Sequence, residues 1–294
     1  MGTAARIVDL LSSQPGEVAV EPPGSGDGFW AGGPSVVHDE GVTWLAYRLR
    51  RPVDQGRGYA NVVARSEDGV RFEPVATVTA EQFDCASLER PALIRRPDGG
   101  WRLYVSCSSR GSKHWWVEAL DADEPAGLAD GVRSTVLPGD ETEAWKDIVV
   151  HREGDAWSMW ACRHPLDGGD DEADRMTTCY FASDDGLAWS PPVTALAPRS
   201  GGWDARGTRI TSVLAGEVWT AFYDGRASAA ENWYERTAGA EGGAPDAFLP
   251  VTGPTPAGRT LRYLSVARTA DGLRLYWEAD RPDGANELRT ALLP

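Results

Sequence analysis

Four acidic residues stand where their types and neighbours suit proton-transfer chemistry. They are Glu89, Asp147, Asp224 and Glu235. Arg90 directly follows the first of them and Lys146 directly precedes the second, so a fixed cation stands beside each and is able to tune its ionisation. A pair of carboxylates with separated pKa values is what general acid and base catalysis requires. We therefore predict these four as candidate catalytic residues, with Asp147 and Glu89 first. A structural salt bridge is the alternative for each.

A second set of side chains suits the binding of a polar ligand. Arginine offers a planar fork of donors to anionic or hydroxyl-rich molecules, and tryptophan offers a flat apolar face. The alternative is structural: the arginines pair with nearby acids, and the tryptophans pack inside the fold. The predicted binding residues are Trp30, Arg90, Arg110, Trp145, Lys146, Arg163, Arg206 and Arg226.

An internal repeat supplies the elements that would bring these residues together. Five segments share one order: a short apolar run, a tight turn, and a strand rich in tryptophan or tyrosine. Equivalent positions are Gly33, Arg90, Asp147, Gly207 and Tyr263, so the steps are 57, 57, 60 and 56 residues. A period of this length with four short strands per unit is typical of propeller blades.

The repeat predicts an all-β fold: a five-bladed β-propeller with four-stranded antiparallel blades, formed as a single domain by residues 1–294. The fifth unit runs out after three strands. We expect the strand-like segment 6–11 near the N-terminus to pair with it and close the ring, which removes an exposed sheet edge. In such a fold the first strands line a channel, and their starts share one face with the ends of the second strands. The candidate residues then gather at one mouth.

Composition and charge exclude several function classes. The 294 residues carry 29 basic and 44 acidic side chains, a formal charge of −15, which argues against nucleic acids and anionic membranes as partners. No apolar stretch is long enough for a membrane span, and the N-terminus has neither a basic start nor an apolar signal region. We therefore expect a cytoplasmic protein. The sequence leaves its oligomeric state open.

The cysteines and histidines give no metal or cofactor signal. Cys85, Cys107, Cys162 and Cys179 have no C-x-x-C spacing, and the four histidines are not spaced with them as ligand sets. We expect reduced thiols, no bound metal and no cofactor. A disulfide between Cys162 and Cys179, on neighbouring strands, is the alternative for that pair.

The repeat starts resemble those of five-bladed β-propeller glycoside hydrolases. These include the arabinanase and β-xylosidase type, the invertase and levansucrase type, and the mannoside phosphorylase type. The similarity rests on Gly-Gly-Pro-Ser-Val-Val at 32–37, Glu-Arg-Pro-Ala-Leu-Ile at 89–94, Lys-Asp-Ile-Val-Val at 146–150, and two Ser-x-Asp-Gly turns. It implies carboxylate acid and base catalysis on a small glycoside, with anionic glycosides among the candidates.

The catalytic pattern of those families is matched only in part. In the arabinanase type the third repeat opens with an aspartate that tunes the acid, and Asp147 matches it. Gly33 stands where that type has its catalytic base, and Arg206 stands near the place of its acidic glutamate. In the invertase type a glutamate two residues before proline is the acid and base, and Glu89 is similar. Two alternatives therefore stay open: a non-catalytic carbohydrate-binding propeller, and a tailoring enzyme for a small metabolite on the same scaffold.

Overall fold

The computed structural model describes residues 2–169, 171–258 and 260–294, and β-strands dominate it. One α-helix, α1 (Thr3–Ser13), opens the chain. Short 3-10 turns lie between strands at Val53–Gln55, Ala80–Phe83, Pro125–Asp130, Glu172–Asp174 and Ala229–Glu231.

Within the described residues, the strands pair into five antiparallel groups that follow one another along the chain. Group 1 contains β2 (Trp30–Asp39), β3 (Val42–Arg50), β4 (Gly58–Ser66) and β5 (Glu73–Thr79). Group 2 contains β6 (Ser87–Leu88), β7 (Ala92–Arg95), β8 (Trp101–Ser108), β9 (Trp115–Ala122) and β10 (Val132–Leu137). Group 3 contains β11 (Glu143–Glu153), β12 (Ala156–Pro165), β13 (Thr177–Ser183) and β14 (Val193–Leu196).

The last two groups use the same antiparallel order. Group 4 contains β15 (Gly207–Leu214), β16 (Trp219–Arg226), β17 (Arg236–Ala244) and β18 (Ala247–Pro250). Group 5 contains β19 (Leu261–Thr269), β20 (Gly272–Asp280), β21 (Asn286–Leu293) and, from the start of the chain, β1 (Glu17–Val20). The mostly β character predicted from the repeat is thus confirmed. In group 2 the expected continuous first strand is split into β6 and β7, on either side of Glu89, Arg90 and Pro91.

The N-terminal segment differs from the prediction. Residues 6–11, expected as a strand, belong to α1, and the segment that pairs with β21 is β1 instead. The apolar residues Ala4, Ile7 and Leu11 recur at helical spacing and are fully buried, against side chains of groups 4 and 5 such as Phe222 and Leu264. Burial of this helical stripe outweighs the strand preference of the β-branched pair at positions 7 and 8.

Hydrophobic clusters fill the spaces between consecutive groups. The five clusters join consecutive groups in the pairings 1–2, 2–3, 3–4, 4–5 and 5–1, and α1 contributes five of the buried side chains of the 4–5 cluster. Trp101, Trp160 and Trp277, each on the second strand of its repeat, lie in three of these clusters. The large aromatic residues of the repeat therefore pack the groups face to face, which is where most of the apolar burial occurs.

Hydrogen bonds from backbone amides to side-chain hydroxyls join the same pairs of groups. In each, a backbone N–H donates to a serine or threonine oxygen of the neighbouring group at 2.9 to 3.1 Å. The pairs are Leu93 with Ser35, Asp147 with Ser106, Ile210 with Thr178, Val266 with Ser212, and Val36 with Ser265. The fifth bond returns from group 1 to group 5, so these bonds follow a closed circuit.

Arg90 lies at the centre of this circuit. Its guanidinium donates to the backbone carbonyls of Pro34, Ile148 and Thr211, which belong to groups 1, 3 and 4. The residue is fully buried, and burial lowers the pKa of its guanidinium to about 10, although nearby Asp147 partly opposes this. It therefore stays charged at neutral pH and donates to three backbone carbonyls.

Replacing Arg90 tests this central role. We expect Arg90→Met to lower the free energy of unfolding by about 3 kcal/mol or more, because each buried carbonyl left without a donor costs about 1–3 kcal/mol. Arg95→Met is the matched control: Arg95 is half-exposed and its pairing with Asp39 spans 3.7 Å, so a loss within about 0.5 kcal/mol is expected. Urea denaturation of both variants measures the difference. Equal losses would contradict a special role for Arg90.

Candidate functional site

A cavity of about 270 Å³ lies where the first strands of the five groups begin. We call it the central cavity. Group 1 contributes Arg48, the segment before β7 contributes Glu89, and groups 3, 4 and 5 contribute Lys146, Arg209 and Arg262. Its other lining residues are Arg50, Arg57, Lys113, Trp115, His164, Asp174, Met176, Arg226, Asn232, Trp233, Glu235 and Tyr263.

Three equivalent repeat positions beside this cavity have a left-handed backbone. Gly33, Asp147 and Tyr263 have φ angles of 59°, 56° and 54°, and the strand register shifts at each of them. Glycine adopts this conformation freely, whereas a side chain there costs on the order of 1–3 kcal/mol and such strain clusters at functional sites. The two strained side chains meet, since Tyr263 Oη donates to Asp147 Oδ2 at 3.3 Å.

Arg209 organises the first of two buried charge clusters. Its guanidinium lies 2.9 Å from Asp224 Oδ2 and 3.5 Å from Asp147 Oδ2, and it also donates to Glu235. The guanidinium carbon lies 3.9 Å from the centre of the Tyr263 ring. Three carboxylates thus share one cation, and all five side chains are buried.

The pKa values in this cluster diverge. Burial would raise the pKa of Asp147, but Lys146 and Arg209 overcome it and lower that pKa to about 2. Burial raises the pKa of Asp224, and the charge of Glu235 adds to the rise. The pKa of Glu235 is lowered, because the arginines 209, 226 and 262 together outweigh its burial. Asp224 is therefore the carboxyl of this cluster that most readily holds a proton.

Arg48 organises the second cluster. It pairs with Glu89 and, at 3.4 Å, with Glu278. Arg262 links the two clusters, with 2.6 Å between its Nε and Glu278 Oε1 and 3.3 Å between its Nη1 and Glu235 Oε2. The second oxygen of Glu89, Oε1, is buried and makes no hydrogen bond among the described residues. That atom is free to accept a hydrogen bond from a ligand.

Other cations of the cavity have no such partner. Arg50 is stacked on tryptophans, 4.4 Å from the ring centre of Trp30 and 5.2 Å from that of Trp233. Lys146 Nζ lies 4.5 Å from the ring centre of Trp115. Within the described part of the chain, neither Arg50 nor Lys146 forms an ion pair or a hydrogen bond through its cationic group. The lining thus combines paired carboxylates with unpaired cations.

Comparisons with known proteins bear on this arrangement. No protein-family model matches the sequence, and no curated protein matches it. Solved structures do match over nearly the whole chain. A thermostable family-43 glycoside hydrolase has a TM-score of 0.69 at 13% identity, over 95% of this chain and 93% of that one. The family-43 enzyme from Xanthomonas citri in complex with xylose has a TM-score of 0.64 at 14% identity, over 98% and 93%.

A third structure comes from work on the family-130 mannoside phosphorylases, which reports glycoside hydrolases that target β-1,2-mannosidic linkages in Candida mannan. Its TM-score is 0.62 at 13% identity, over 94% of this chain and 88% of that one. The chain shares its fold with propeller glycoside hydrolases. The resemblance expected from the repeat starts is therefore confirmed at the level of the fold, and the identities are too low to carry an activity across.

In this glycoside hydrolase fold, the four predicted carboxylates fall into two positions. Glu89 and Glu235 line the central cavity. Asp147 and Asp224 are not among its lining residues and lie against Arg209. The structure therefore brings all four into one charge network but presents only two of them to a ligand.

Three of the predicted binding residues are at the cavity. Lys146 and Arg226 line it, and Arg226 donates to Glu235 and Asn232. Trp30 supports it from behind, with its ring 5.3 Å from that of Trp233. Arg90 is instead the central structural residue described above.

Four predicted binding residues lie elsewhere, which corrects the sequence analysis. Arg110 is exposed and pairs with Asp84, while Arg163 pairs with Glu143. Trp145 is buried in the cluster between groups 2 and 3, where its ring packs edge-on against Phe181. Arg206 pairs with Asp171 outside the cavity, and the arginine that reaches Asp147 is Arg209. Because side chains alternate along a strand, a shift of one residue reverses the face.

Of the 17 residues that line the cavity, 13 are not among the predicted site residues. They include Arg57, Lys113, Trp115, Asp174, Met176 and Arg209. One signal pointed to some of them: lysine occurs only at positions 113 and 146, and both residues line this cavity. Several of the others are in connecting segments, which the repeat does not place.

The described residues form neither a metal-binding cluster nor a disulfide. Among the described residues, no group of three histidine, cysteine, aspartate or glutamate side chains is arranged to hold a metal ion. All four cysteines are buried and unpaired, so Cys162 and Cys179 form no disulfide. No helix within the described ranges has the length and apolar character needed to cross a bilayer.

The titration of Lys146 tests the electrostatics of the cavity. Burial lowers the pKa of this amine to about 8, the charges of Arg57 and Arg209 add to the effect, and Asp147 opposes it. We expect the NMR signal of 13C-methylated Lys146 to titrate near pH 8. Asp147→Asn should move the midpoint to lower pH, because it removes the carboxylate charge that stabilises the ammonium form. Lys146→Arg identifies the signal by removing it. A midpoint above pH 10 would contradict the assigned burial.

Proposed function

We propose that the chain is one domain, residues 1–294, built as a five-bladed β-propeller. Each antiparallel group is one blade, and β1 completes the last one. Two features support this: the five hydrophobic clusters and the five amide–hydroxyl bonds both run from group to group and return from group 5 to group 1. A closed ring leaves the first strands around one axis, with the central cavity at its mouth.

We propose that the protein is a glycoside hydrolase-like enzyme that acts on a small glycoside in the central cavity. One observation carries the proposal: in a glycoside hydrolase fold, Glu89 and Glu235 line a single cavity together with the rings of Trp115 and Trp233. Its volume of about 270 Å³ suits one sugar residue with part of a second. Tryptophan rings supply faces on which a sugar ring stacks.

Glu89 and Glu235 are the proposed acid and base pair. Glycosidic hydrolysis places two carboxyl groups on opposite sides of the scissile bond, about 5 Å apart for retention or about 6.5–9.5 Å for inversion. Glu89 has a free oxygen, and Glu235 is ionised because three arginines lower its pKa. Asp147 and Asp224 are positioning residues in this scheme, since both act through Arg209.

The cations of the lining favour an anionic glycoside over a neutral one. Eight lysine and arginine side chains line the cavity against three carboxylates, in a protein whose overall formal charge is −15. Asp147, Asp224 and Glu278, outside the lining, pair with three of the arginines. A cationic mouth on an acidic protein attracts anions locally and raises their encounter rate. The buried thiols are in keeping with a reducing, cytoplasmic location, which remains a proposal.

A second candidate function is sugar binding without catalysis. It is favoured by two departures from the arabinanase pattern: Gly33 stands at the position of the base, and Arg206 stands near the place of the acidic glutamate. Every carboxylate of the network is also already paired with arginine. In this case Glu89 and Glu235 would accept ligand hydroxyls and transfer no proton.

Hydrolysis of a panel of chromogenic glycosides, together with calorimetric binding, separates the two functions. For the enzyme, Glu89→Gln and Glu235→Gln should each reduce kcat by at least about 100-fold while binding changes less than about fivefold, because a neutral amide keeps the shape but transfers no proton.

Glu118→Gln is the control, since Glu118 is a buried glutamate paired with Arg133 outside the cavity. It should leave kcat unchanged. Binding of sugars by the wild-type protein with no turnover on any substrate would establish the second function instead, and full activity in both glutamine variants would overturn the assigned pair.

A further inference from the structure

Lysine is used in this chain at two positions, and both face the same cavity. Of the 29 basic residues, only Lys113 and Lys146 are lysines. Both are among the 17 residues that line the central cavity. A general preference for arginine would scatter the rare lysines over the molecule. Their coincidence at one place points to a role that a compact, mobile ammonium group serves better than a guanidinium.

Their charges are compensated only in part: Asp147 favours the charged form of Lys146. Within the described residues, the amines of Lys113 and Lys146 form no ion pair and no hydrogen bond. The charge of Arg57 helps to lower the pKa of Lys146. Arg57 forms a long ion pair with Glu89, with 3.9 Å between the guanidinium and Glu89 Oε1. Arg57 and Lys146 repel each other, so a bound anion would relieve the repulsion.

A second cavity adjoins the first at these residues. It has a volume of about 500 Å³, and Arg57 and Lys113 line both cavities. Its walls carry the hydroxyls of Ser87, Ser108 and Ser112, and among its described lining residues there is no carboxylate. Hydroxyl groups and cations without acids are the surroundings in which carboxylate and phosphate groups bind.

The backbone at Arg57 also differs from an ordinary loop. Arg57 has a φ of 46°, a left-handed conformation that is costly for a residue with a side chain. Burial lowers the pKa of its guanidinium, and the charge of Arg48 adds to the lowering. The loop thus holds a partly buried cation in a strained conformation at the boundary of the two cavities.

We propose that Arg57, Lys113 and Lys146 bind an anionic group, a carboxylate or a phosphate, on a sugar ligand that extends from the central cavity into the serine-lined cavity. The inference rests on the proposed glycoside function for the sugar part and adds the charged substituent and its place. The ligand class is therefore a uronic acid or a sugar phosphate.

Matched probes test the proposal by calorimetry on the full chain. The neutral probe is xylose. The charged sugars are glucuronic acid, which is the xylose ring with an added carboxylate, and xylose 1-phosphate. Inorganic phosphate is the anion without a sugar. We expect at least one charged sugar to bind about tenfold or more tightly than xylose, and the better of the two identifies the anion as carboxylate or phosphate. Lys113→Gln and Arg57→Gln should each reduce that preference, measured as the ratio of the affinities for the charged sugar and for xylose, about fivefold or more.

Arg268→Gln controls for total charge. Arg268 is exposed, lines a different cavity, and removing its charge changes the net charge equally. This variant should keep the full preference for the charged sugar. An equal loss in Arg268→Gln, or equal wild-type affinity for xylose and both charged sugars, would overturn the proposal.

A measurement without substitutions separates this proposal from the glycoside function. In the 13C-methylated protein, saturating phosphate should shift the signals of both lysines. If phosphate binds in this way and no sugar binds, the anion site stands and the glycoside function falls. If xylose binds but no anion shifts either lysine signal, the anion site is wrong and the glycoside function is retained.

Discussion

The fold depends on how one buried cation joins three of the strand groups. Arg90 donates to carbonyls of groups 1, 3 and 4 at the point where their first strands meet. A lysine has too few donors in a fixed plane for three carbonyls, and an apolar side chain would leave them all unpaired. The amide–hydroxyl bonds between neighbouring groups add the lateral spacing. Together these bonds bring residues 33, 147 and 263, whose backbones are left-handed, close together at the base of the cavity.

Charge compensation divides the cations of the cavity into two kinds. Arg48, Arg209 and Arg262 are each paired with two or more carboxylates, and they hold the buried acids in place. Removing a single partner from such a network leaves an uncompensated buried charge, which is costly. Arg50 and the two lysines have no carboxylate partner among the described residues. The first kind serves the structure, and the second kind is available to a ligand.

The sequence predicts the strands better than the site for a physical reason. Strand positions follow from apolar runs and turns that recur at a nearly constant period, and the Asp-Gly turns add a local signal: Asp68 and Asp185 each accept two backbone N–H groups in the same way. Whether a side chain reaches the cavity depends on single-residue register. Trp145 points into the core while Lys146 faces the cavity, and the bulge at Asp147 changes the alternation once more. Residues 57 and 113 are outside the regular strands, where no period applies.

The contrast between Arg209 and Lys146 then bears on chemistry. Both flank Asp147, and together they lower its pKa to about 2. Arg209 is always charged, so it can hold three carboxylates but cannot exchange a proton. Lys146, with its pKa lowered to about 8, carries a proton that it is able to lose near neutral pH. In this cavity the carboxylates are paired with arginines, and the amine of Lys146 forms no ion pair among the described residues. The charge that changes near neutral pH is therefore that of the lysine. The proposed anion site thus includes an amine whose charge changes near neutral pH.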